Sequence, residues 1–335
     1  MPVVQHRRTG GGLVSFFTPI DTYSQNQIKL ILGLINRRRR WKKHHLCKAT
    51  WAFPAVMILL LLVSACGSSQ PAQSPNALPV VATTALMADF VRNVGGDLVE
   101  VTALVPPGAE VHSFQSTPAD SVALSRAVLV VSNGGELDGF LGPLIQGSLS
   151  KYAVHVVAAG PLLAAGETDP HFWQNPVFTI KYIEIIRDGL IAADPENAVA
   201  YRANFDSYKD ALTKLDFDIA STLNTVDPAR RLLITFHDAF GHFATRYGWE
   251  VTAFVASDGG EVSPGRVVEI LEQVRDQGIP AVFAEPQFRA DVLQNAAQEA
   301  GVEVGTIYSD VLDSEVTSYI DMMLFNAKSL ARLLR

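Results

Sequence analysis

The chain has 335 residues, of which 48% are hydrophobic and 18% are charged, and its formal net charge is −7. This composition excludes a disordered tail protein, a collagen-like repeat and a small disulfide scaffold, and the length allows one large or two ordinary domains with real cores. The first 66 residues carry ten basic side chains and one acidic one, so the remainder has 17 basic and 33 acidic side chains. An acidic body of this kind binds nucleic acid poorly but is compatible with the handling of cations.

Residues 1–65 predict an export signal rather than a folded domain. A basic run at 37–48 precedes an apolar stretch from Trp51 to Ala65, which is the order of regions in a secretory signal. The apolar stretch spans 15 residues, whereas a membrane-spanning helix needs roughly 20, so a permanent transmembrane anchor is the weaker alternative. Residues 1–36 fit neither a signal nor a domain, and we assign them no function.

The signal ends in a motif that predicts lipid modification. The tetrapeptide VSAC, which ends at Cys66, resembles a bacterial lipobox, in which the cysteine is acylated and becomes the first residue of the mature protein. An ordinary cleavage site with an incidental cysteine is the alternative, but the flexible Ser- and Pro-rich tether at 66–77 favours acylation, and two or more acyl chains hold a protein on a membrane. The other cysteine, Cys47, lies in the leader. A transition-metal site in the mature body must therefore use His and carboxylate.

The first half of the body alternates short apolar strands with helical patterns, which is typical of parallel α/β units. The predicted strands are 79–86, 99–106, 127–134 and 155–160. The predicted helices between them are 87–96, 117–126 and 137–149.

The second half repeats this order and predicts a second, similar lobe. Its predicted strands are 231–236, 249–257, 281–287 and 302–309. Its predicted helices are 239–248, 263–278, 289–301 and 317–334. We therefore expect an α/β fold of two Rossmann-like lobes, each with a roughly four-stranded parallel sheet, at 78–193 and 227–335.

One long helix is predicted at 194–226, between the two lobes. Apolar side chains recur there at steps of four and three, which places them on one helical stripe that ends at Thr222-Leu223: Tyr201, Phe205, Tyr208, Leu212, Leu215, Ile219 and Leu223. About 30 residues at 1.5 Å each give roughly 45 Å, enough to run along both lobes. Because a continuous helix is stiff, we expect limited movement of the lobes.

Three histidines lie at the carboxyl ends of predicted strands, where open parallel sheets bind their ligands. These are His112, His171 and His237, and the second lobe adds Asp310 and Glu285 at equivalent places. A single loop histidine is usually only a polar surface residue. Three at facing strand ends of two lobes predict one shared site, although their separation in sequence cannot itself establish it.

Two other histidines are better explained by structure than by chemistry. His155 is embedded in a predicted strand, and we expect it to be packed or hydrogen-bonded there. His242 lies five residues after His237 on a predicted helix, where a spacing of three or four would share a face, so we expect it to pack between the lobes.

Imidazole nitrogens with one carboxylate suit zinc, whereas a site richer in oxygen would favour manganese. Four such ligands fill a closed shell, but a hydrolytic zinc enzyme keeps a position for water. The chain contains no HExxH pair, GxSxG elbow or P-loop, so we predict that it is not an enzyme.

A set of segments from about Leu78 to the C-terminus resembles the metal-binding lipoproteins of ABC importers, the zinc and manganese solute-binding proteins, some of which are named adhesins. The segments are VHSFQSTPAD, VVSNGGELDGFL, DPHFWQNP, DPENAVAYRANFDSY, TFHDAFGHFATRYG, FAEPQF and IYSDVL. The resemblance implies two lobes joined by a rigid helix. It also implies that His112, His171, His237 and Asp310 are the four metal ligands.

The resemblance also bears on the metal and on the residues around it. The third ligand of the family is commonly His in zinc proteins and Glu in manganese proteins, so His237 favours zinc, with manganese as the alternative. Glu285 matches a family acid beside the site, and Asp169 and Asp238 could orient imidazoles. Asp169 could instead cap a turn.

Two departures from the family pattern are visible. The His- and acid-rich loop of many Gram-negative zinc importers is missing from the chain, which removes support for a role in gathering zinc or sensing its level. Asn175 stands where the family usually has an acid, which could alter the neighbours of His171.

These observations predict a monomeric receptor, lipid-anchored through Cys66 on the extracytoplasmic face of the membrane. It would capture Zn²⁺, or Mn²⁺ as the alternative, and deliver the ion to an ABC permease driven by a separate ATPase. The other functions we consider are a secreted metallohydrolase with Glu285 as general base, a surface adhesin with a structural metal, and a receptor for a metal chelate. Because His binds metal only when neutral, affinity should weaken as the pH falls through about 6.5.

Overall fold

The computed structural model describes residues 77–135, 137–150, 153–166, 168–256, 262–289 and 291–335. The predicted signal and Cys66 lie outside these described residues. Within the described ranges, no helix is both long and apolar enough to cross a bilayer.

The first lobe is built on the predicted four-stranded parallel sheet. Its strands are β1 (Leu78–Ala82), β2 (Val99–Ala103), β3 (Leu129–Ser132) and β4 (Val154–Val157). They lie in the order β2-β1-β3-β4, so the chain changes direction across the sheet between β1 and β3. Ligands of such sheets bind beyond the carboxyl ends of the strands, next to this switch point.

The described part of the first lobe contains five α-helices. They are α1 (Ala85–Gly95), α2 (Pro118–Arg126), α3 (Gly142–Ser148), α4 (Gly160–Ala164) and α5 (Pro176–Ala193). Side-chain caps explain where α1 and α2 begin. Thr84 accepts a hydrogen bond from the backbone of Met87, and Thr117 forms a capping box with Asp120.

The predicted linking helix is present as α6 (Ala198–Leu223), whose 26 residues give about 39 Å. All seven apolar residues of the predicted stripe are buried. The helix begins four residues later than predicted because Pro195–Asn197 form a separate 3-10 turn. A continuous helix whose apolar stripe is buried from Tyr201 to Leu223 is a rigid connection between the two sheets.

The second lobe repeats the plan of the first. Its strands are β5 (Leu232–His237), β6 (Glu250–Val255), β7 (Ala281–Ala284) and β8 (Glu303–Thr306), in the order β6-β5-β7-β8. Its helices are α7 (Gly241–Tyr247), α8 (Pro264–Gln277), α9 (Asp291–Ala300) and α10 (Tyr319–Leu333). α10 packs against α6, as do α1 and α5 of the first lobe, so α6 lies in a core shared by both lobes.

The prediction of an α/β fold with two similar lobes is confirmed, but two helices were not predicted. α4 begins at the end of the stretch predicted as the fourth strand. α5 begins at the end of DPHFWQNP, a segment in which no helix was predicted. α5 had a visible start signal, because Asn175 accepts a hydrogen bond from the backbone of Val177 and Pro176 occupies the first helical position. The lobe limits 78–193 and 227–335 stay predictions.

Candidate metal centre

Four side chains that the sequence singles out converge at the carboxyl ends of the two sheets. They are His112, His171, His237 and Asp310, and each offers one ligand atom within 4.8 Å of the others. His171, His237 and Asp310 are buried, and His112 is partly buried. The first lobe supplies two of the four side chains, and the second lobe supplies the other two.

The two candidate ligands of the first lobe lie in irregular loops. His112 is in the segment between β2 and α2, where the carboxylate of Glu110 accepts the backbone N–H groups of His112 and Ser113, both at 2.6 Å. His171 precedes the 3-10 turn Phe172–Gln174, which leads directly into α5. The Glu110 carboxylate thus fixes the backbone around His112, and the start of α5 fixes the backbone around His171, although neither residue lies in a strand.

The two candidate ligands of the second lobe are closer to regular structure. His237 is the last residue of β5, and Asp310 follows β8 by four residues. Glu285 comes directly after β7. Since β5, β7 and β8 are neighbours in the sheet, these three side chains meet at one edge.

A cross-lobe seam joins the loops that carry His171 and Asp310. The backbone carbonyl of Ser309 accepts hydrogen bonds from Nε1 of Trp173 at 2.7 Å and from Nε2 of Gln174 at 3.0 Å. Both donors are buried. The seam therefore holds one ligand loop of each lobe against the other.

The ligand atoms point at each other without being paired. Oδ1 of Asp310 lies 3.8 Å from Nε2 of His171, and Oδ2 lies 3.2 Å from Nε2 of His237. Nε2 of each of the three histidines and Oδ1 of Asp310 are buried and have no hydrogen-bond partner among the described residues. Buried polar atoms are nearly always satisfied, so four that converge without partners indicate a site for a cation.

Two imidazole rings are oriented from behind by carboxylates. Oδ1 of Asp169 lies 2.7 Å from Nδ1 of His171 and accepts its backbone N–H at 3.0 Å. Oε2 of Glu285 lies 2.6 Å from Nδ1 of His237, and Oε1 accepts that residue's backbone N–H at 3.0 Å. A carboxylate on Nδ1 fixes the ring so that Nε2 faces the site, which is the usual arrangement behind metal-binding histidines.

Asp238, the third acid expected near the site, is not brought to an imidazole. Successive side chains at a strand end point to opposite sides, so the carboxylate next to His237 in sequence faces away from it and is exposed. Asp238 instead lines an open cavity of about 740 Å³ beside the site, and Asp169 lines the same cavity.

Two carboxylates of the second lobe, Asp310 and Glu285, set the charge around His237. Burial alone would lower the pKa of His237, but the carboxylates of Asp310 and Glu285 raise it to about 11. Burial would raise the pKa of Asp310, but His237 and the other two imidazoles lower it to about 2. Burial lowers the pKa of His112. Without a metal, His237 therefore carries a proton in the place where a cation would lie.

The remaining histidines occupy structural positions. His155 is an exposed residue of β4 whose Nε2 lies 3.0 Å from Oγ of Ser132. His242 stacks on Phe172 with ring centroids 4.5 Å apart, and its Nε2 lies 3.0 Å from the backbone carbonyl of Asp169, so it packs between the lobes as expected. A Cβ at Gly241 would come within 2.9 Å of Asp169, which shows how closely the lobes approach there.

Sequence reasoning missed the polar residues that support the ligands. Trp173, Gln174 and Ser309 adjoin ligands in the motifs DPHFWQNP and IYSDVL, and Gln287 lies in FAEPQF. Their nearness to predicted ligands was the available signal, but it does not reveal which partner each one meets.

Comparison with known families gives a match over most of the chain. The model of the ZnuA family, the periplasmic component A of the zinc-uptake complex, matches residues 80–333. This span contains all four convergent side chains.

Relatives with different named metals cover nearly the same region. The manganese-binding lipoprotein MntA of Halalkalibacterium halodurans is 29% identical over 281 residues, which cover 81% of this chain and 94% of that protein. The iron-binding protein YfeA of Yersinia pestis is 29% identical over 285 residues, which cover 82% of this chain and 91% of that protein.

Solved structures show the same arrangement of lobes. The periplasmic zinc-binding protein TroA from Treponema pallidum matches with a TM-score of 0.72 and 25% identity, over 77% of this chain and 99% of that chain. A manganese-bound periplasmic metal-binding protein from Candidatus Liberibacter asiaticus matches with a TM-score of 0.69 and 25% identity, over 76% and 99%. The named metals differ, although the fold is shared.

Proposed function

The chain belongs to the ZnuA family of metal-binding components of ABC importers, and from this membership we propose that it captures Zn²⁺ outside the membrane and delivers it to an ABC permease. The four convergent residues His112, His171, His237 and Asp310 are its ligands. The observation that carries this proposal is the convergence of four buried, unpartnered donor atoms from both lobes.

The donor set supports zinc over manganese. Three imidazole nitrogens and one carboxylate oxygen suit a tetrahedral zinc ion, while manganese prefers sites richer in oxygen. His237 supplies nitrogen at the position where an acidic ligand would favour manganese. Relatives named for manganese and iron make the metal a question for direct measurement.

A binding role fits the site better than hydrolysis does. Four protein donors fill a tetrahedral shell and leave no position for the water that a hydrolytic zinc enzyme activates. Glu285, the candidate general base of a hydrolase, is buried and contacts His237 instead of facing an open position.

Delivery requires the lobes to separate at the ligands. The permease would have to break the seam from Trp173 and Gln174 to the carbonyl of Ser309, because the seam holds the loops of His171 and Asp310 together. The energy comes from the ATPase of the transporter. The rigid helix α6 limits the change to small displacements of the ligand loops.

The protein would stay near its permease through an acylated Cys66. Relatives named lipoproteins support this anchor, which places the receptor on the extracytoplasmic face of the membrane. We expect it to act as a monomer, because one chain contains the whole ligand set.

Metal titration tests the proposal. Protein purified without added metal should bind one divalent ion per chain, and competition should favour zinc over manganese. Failure to bind either ion would contradict the function, whereas tighter manganese binding would contradict only the choice of metal.

Growth separates import from adhesion. A deletion strain should grow poorly in chelated medium and recover with added zinc. If the strain loses surface attachment but grows normally in that medium, the metal is structural and the protein is an adhesin.

A further inference from the structure

We propose that Gln287 is a positioning residue that holds Asp310 to one-oxygen coordination and thereby favours zinc over ions that take more oxygen ligands. The inference rests on the proposed function, because it takes Asp310 as a ligand. It concerns a residue outside the four-membered ligand set.

The side-chain amide of Gln287 contacts three acceptors in the second lobe. Its Nε2 donates to Oγ of Ser309 at 2.6 Å, and it lies 3.4 Å from Oδ2 of Asp310 and 3.5 Å from Oε2 of Glu285. All three partners are oxygen acceptors, which fixes the amide with its NH₂ group toward the site. Gln287 is only partly buried, so the amide reaches the ligands from the outer side.

These contacts close a ring of polar groups, which we call the Glu285 network: Glu285, His237, Asp310, Gln287 and Ser309. Ser309 donates to Glu285, Glu285 contacts Nδ1 of His237, and Nε2 of His237 faces Oδ2 of Asp310. Gln287 is the member that connects Asp310 back to Ser309. The network therefore fixes the orientation of the Asp310 carboxylate relative to the ring of His237.

The two oxygens of Asp310 are in different situations. Oδ1 is buried, lies toward His171 and has no hydrogen-bond partner among the described residues. Oδ2 lies near His237 and Gln287. With a metal on Nε2 of His237, that nitrogen would carry no hydrogen to donate to Oδ2, and the amide of Gln287 would remain as a donor to this oxygen.

This difference matters for the choice of metal. A carboxylate with one oxygen held by an amide binds a metal through the other oxygen, which gives the four-coordinate shell that zinc favours. A carboxylate free to rotate can offer both oxygens and expand the shell, which suits manganese better. Removal of the amide should therefore weaken zinc and manganese binding unequally.

The test replaces Gln287 with a side chain of similar length that cannot donate. Dissociation constants for Zn²⁺ and Mn²⁺ are measured by competition in wild type, Gln287→Met and the control Gln298→Met, an exposed position on α9. We expect zinc affinity to fall about tenfold in Gln287→Met, as for other residues that support metal ligands, and manganese affinity to fall less, so the ratio of zinc to manganese affinity decreases. The control should keep the wild-type ratio.

A spectroscopic readout separates positioning from general loosening of the fold. Four-coordinate Co²⁺ absorbs visible light much more strongly than five- or six-coordinate Co²⁺. We expect an intense Co²⁺ spectrum in wild type and a weaker one in Gln287→Met. Gln287→Asn, whose amide is one carbon too short to reach Asp310, should shift the ratio in the same direction and serves if the Met variant does not fold.

An unchanged ratio and spectrum in either folded variant, or equal losses for both metals, would overturn the role of Gln287. These outcomes differ from failure of the proposed function, in which wild type itself binds no ion. If wild type prefers manganese, the zinc assignment fails, but the direction in which the variants move the ratio still tests Gln287.

Discussion

The two halves of the metal centre are built differently. On the second lobe, His237 and Asp310 lie at or near strand ends, belong to the Glu285 network and carry opposite charges when no metal is present. On the first lobe, His112 and His171 lie in irregular loops, and burial lowers the pKa of His112. The second lobe thus holds a charged, preformed half-site, and the first lobe adds imidazoles that complete it.

This asymmetry suggests how a rigid protein can both capture and release an ion. The second lobe keeps its ligand geometry because the side chains of its network contact one another. Next to the candidate ligands, the first lobe is tied to it by the seam at the Ser309 carbonyl, and opening this seam breaks no side-chain contact of the network. Loss of the first-lobe ligands would leave a bound ion with two protein ligands instead of four.

The charged half should dominate affinity, so the largest effect is expected at Asp310. A four-ligand zinc site is worth about 10–16 kcal/mol, or about 3 kcal/mol per ligand, so Asp310→Asn should weaken zinc binding by more than roughly a hundredfold. The removed group is also the one carboxylate among the four ligands. Calorimetric titration measures the loss, with the exposed Asp276→Asn as control. A loss below tenfold would contradict the assignment of Asp310.

The first-lobe histidines should contribute nearly as much to zinc affinity as Asp310, although neither of them is a carboxylate. His171→Ala should weaken zinc binding by roughly a hundredfold because it removes one nitrogen ligand. His155→Ala, which removes an exposed histidine of the same lobe, should leave affinity unchanged. Equal losses in the two variants, measured by the same titration, would refute the ligand set.

The supporting carboxylates give a direct comparison of the two halves. Glu285→Gln and Asp169→Asn each remove the charge behind one imidazole, and such changes cost about 10–100-fold in metal affinity. We expect the greater loss for Glu285, because its side chain is fully buried whereas that of Asp169 is 31% exposed. The charge of Glu285 also attracts a divalent metal ion more strongly than it attracts the single proton that the ion replaces on His237.

Chelator competition at pH 7 ranks these two variants. A greater loss in Asp169→Asn would reverse the comparison between the lobes. Equal losses would show that burial of the carboxylate does not set the difference.

The smallest effect, measured per pH unit, concerns the proton on His237. With a pKa of about 11, this residue is protonated in the metal-free protein at neutral pH, and the ion must displace that proton. Zinc binding should therefore release about one proton, and affinity should rise about tenfold per pH unit between pH 7 and 9. The lowered pKa of His112 means that it adds to this dependence only below about pH 6.5.

Calorimetry in buffers of different ionisation enthalpy counts the released protons. Glu285→Gln should release fewer, because Glu285 is one of the two carboxylates that raise the pKa of His237. Binding without proton release at pH 8 would show that His237 is already neutral, and the contrast in charge between the lobes would fail.

Much of this architecture could be predicted because it repeats regularly along the chain. The buried stripe of α6 and the succession of strands and helices along the chain follow from local periodicity. α5 was missed, although Asn175 and Pro176 mark its start, because its apolar residues are too dense to show one clear face. The predicted role of Asp238 ignored the alternation of side chains at the end of β5.

The supporting contacts of the site could not be predicted in the same way. Trp173 meets Ser309 across 136 residues of sequence, and Gln287 joins the Glu285 network through its side chain. Hydrogen bonds of this kind depend on how the two sheets are brought together and leave no periodic pattern in the sequence. The four candidate ligands were accessible only because strand ends and family motifs point to the same residues.

X-ray absorption spectroscopy of the zinc-loaded protein measures the donor shell of the bound ion. We expect a four-coordinate ion with three imidazole nitrogens at about 2.0–2.1 Å and one carboxylate oxygen at about 2.0–2.2 Å. His171→Ala and Asp310→Asn should each alter that shell, through loss of one imidazole and of the carboxylate respectively. A wild-type shell with fewer than three imidazoles, or with a water molecule in place of a protein ligand, would show that these four residues are not the ligand set.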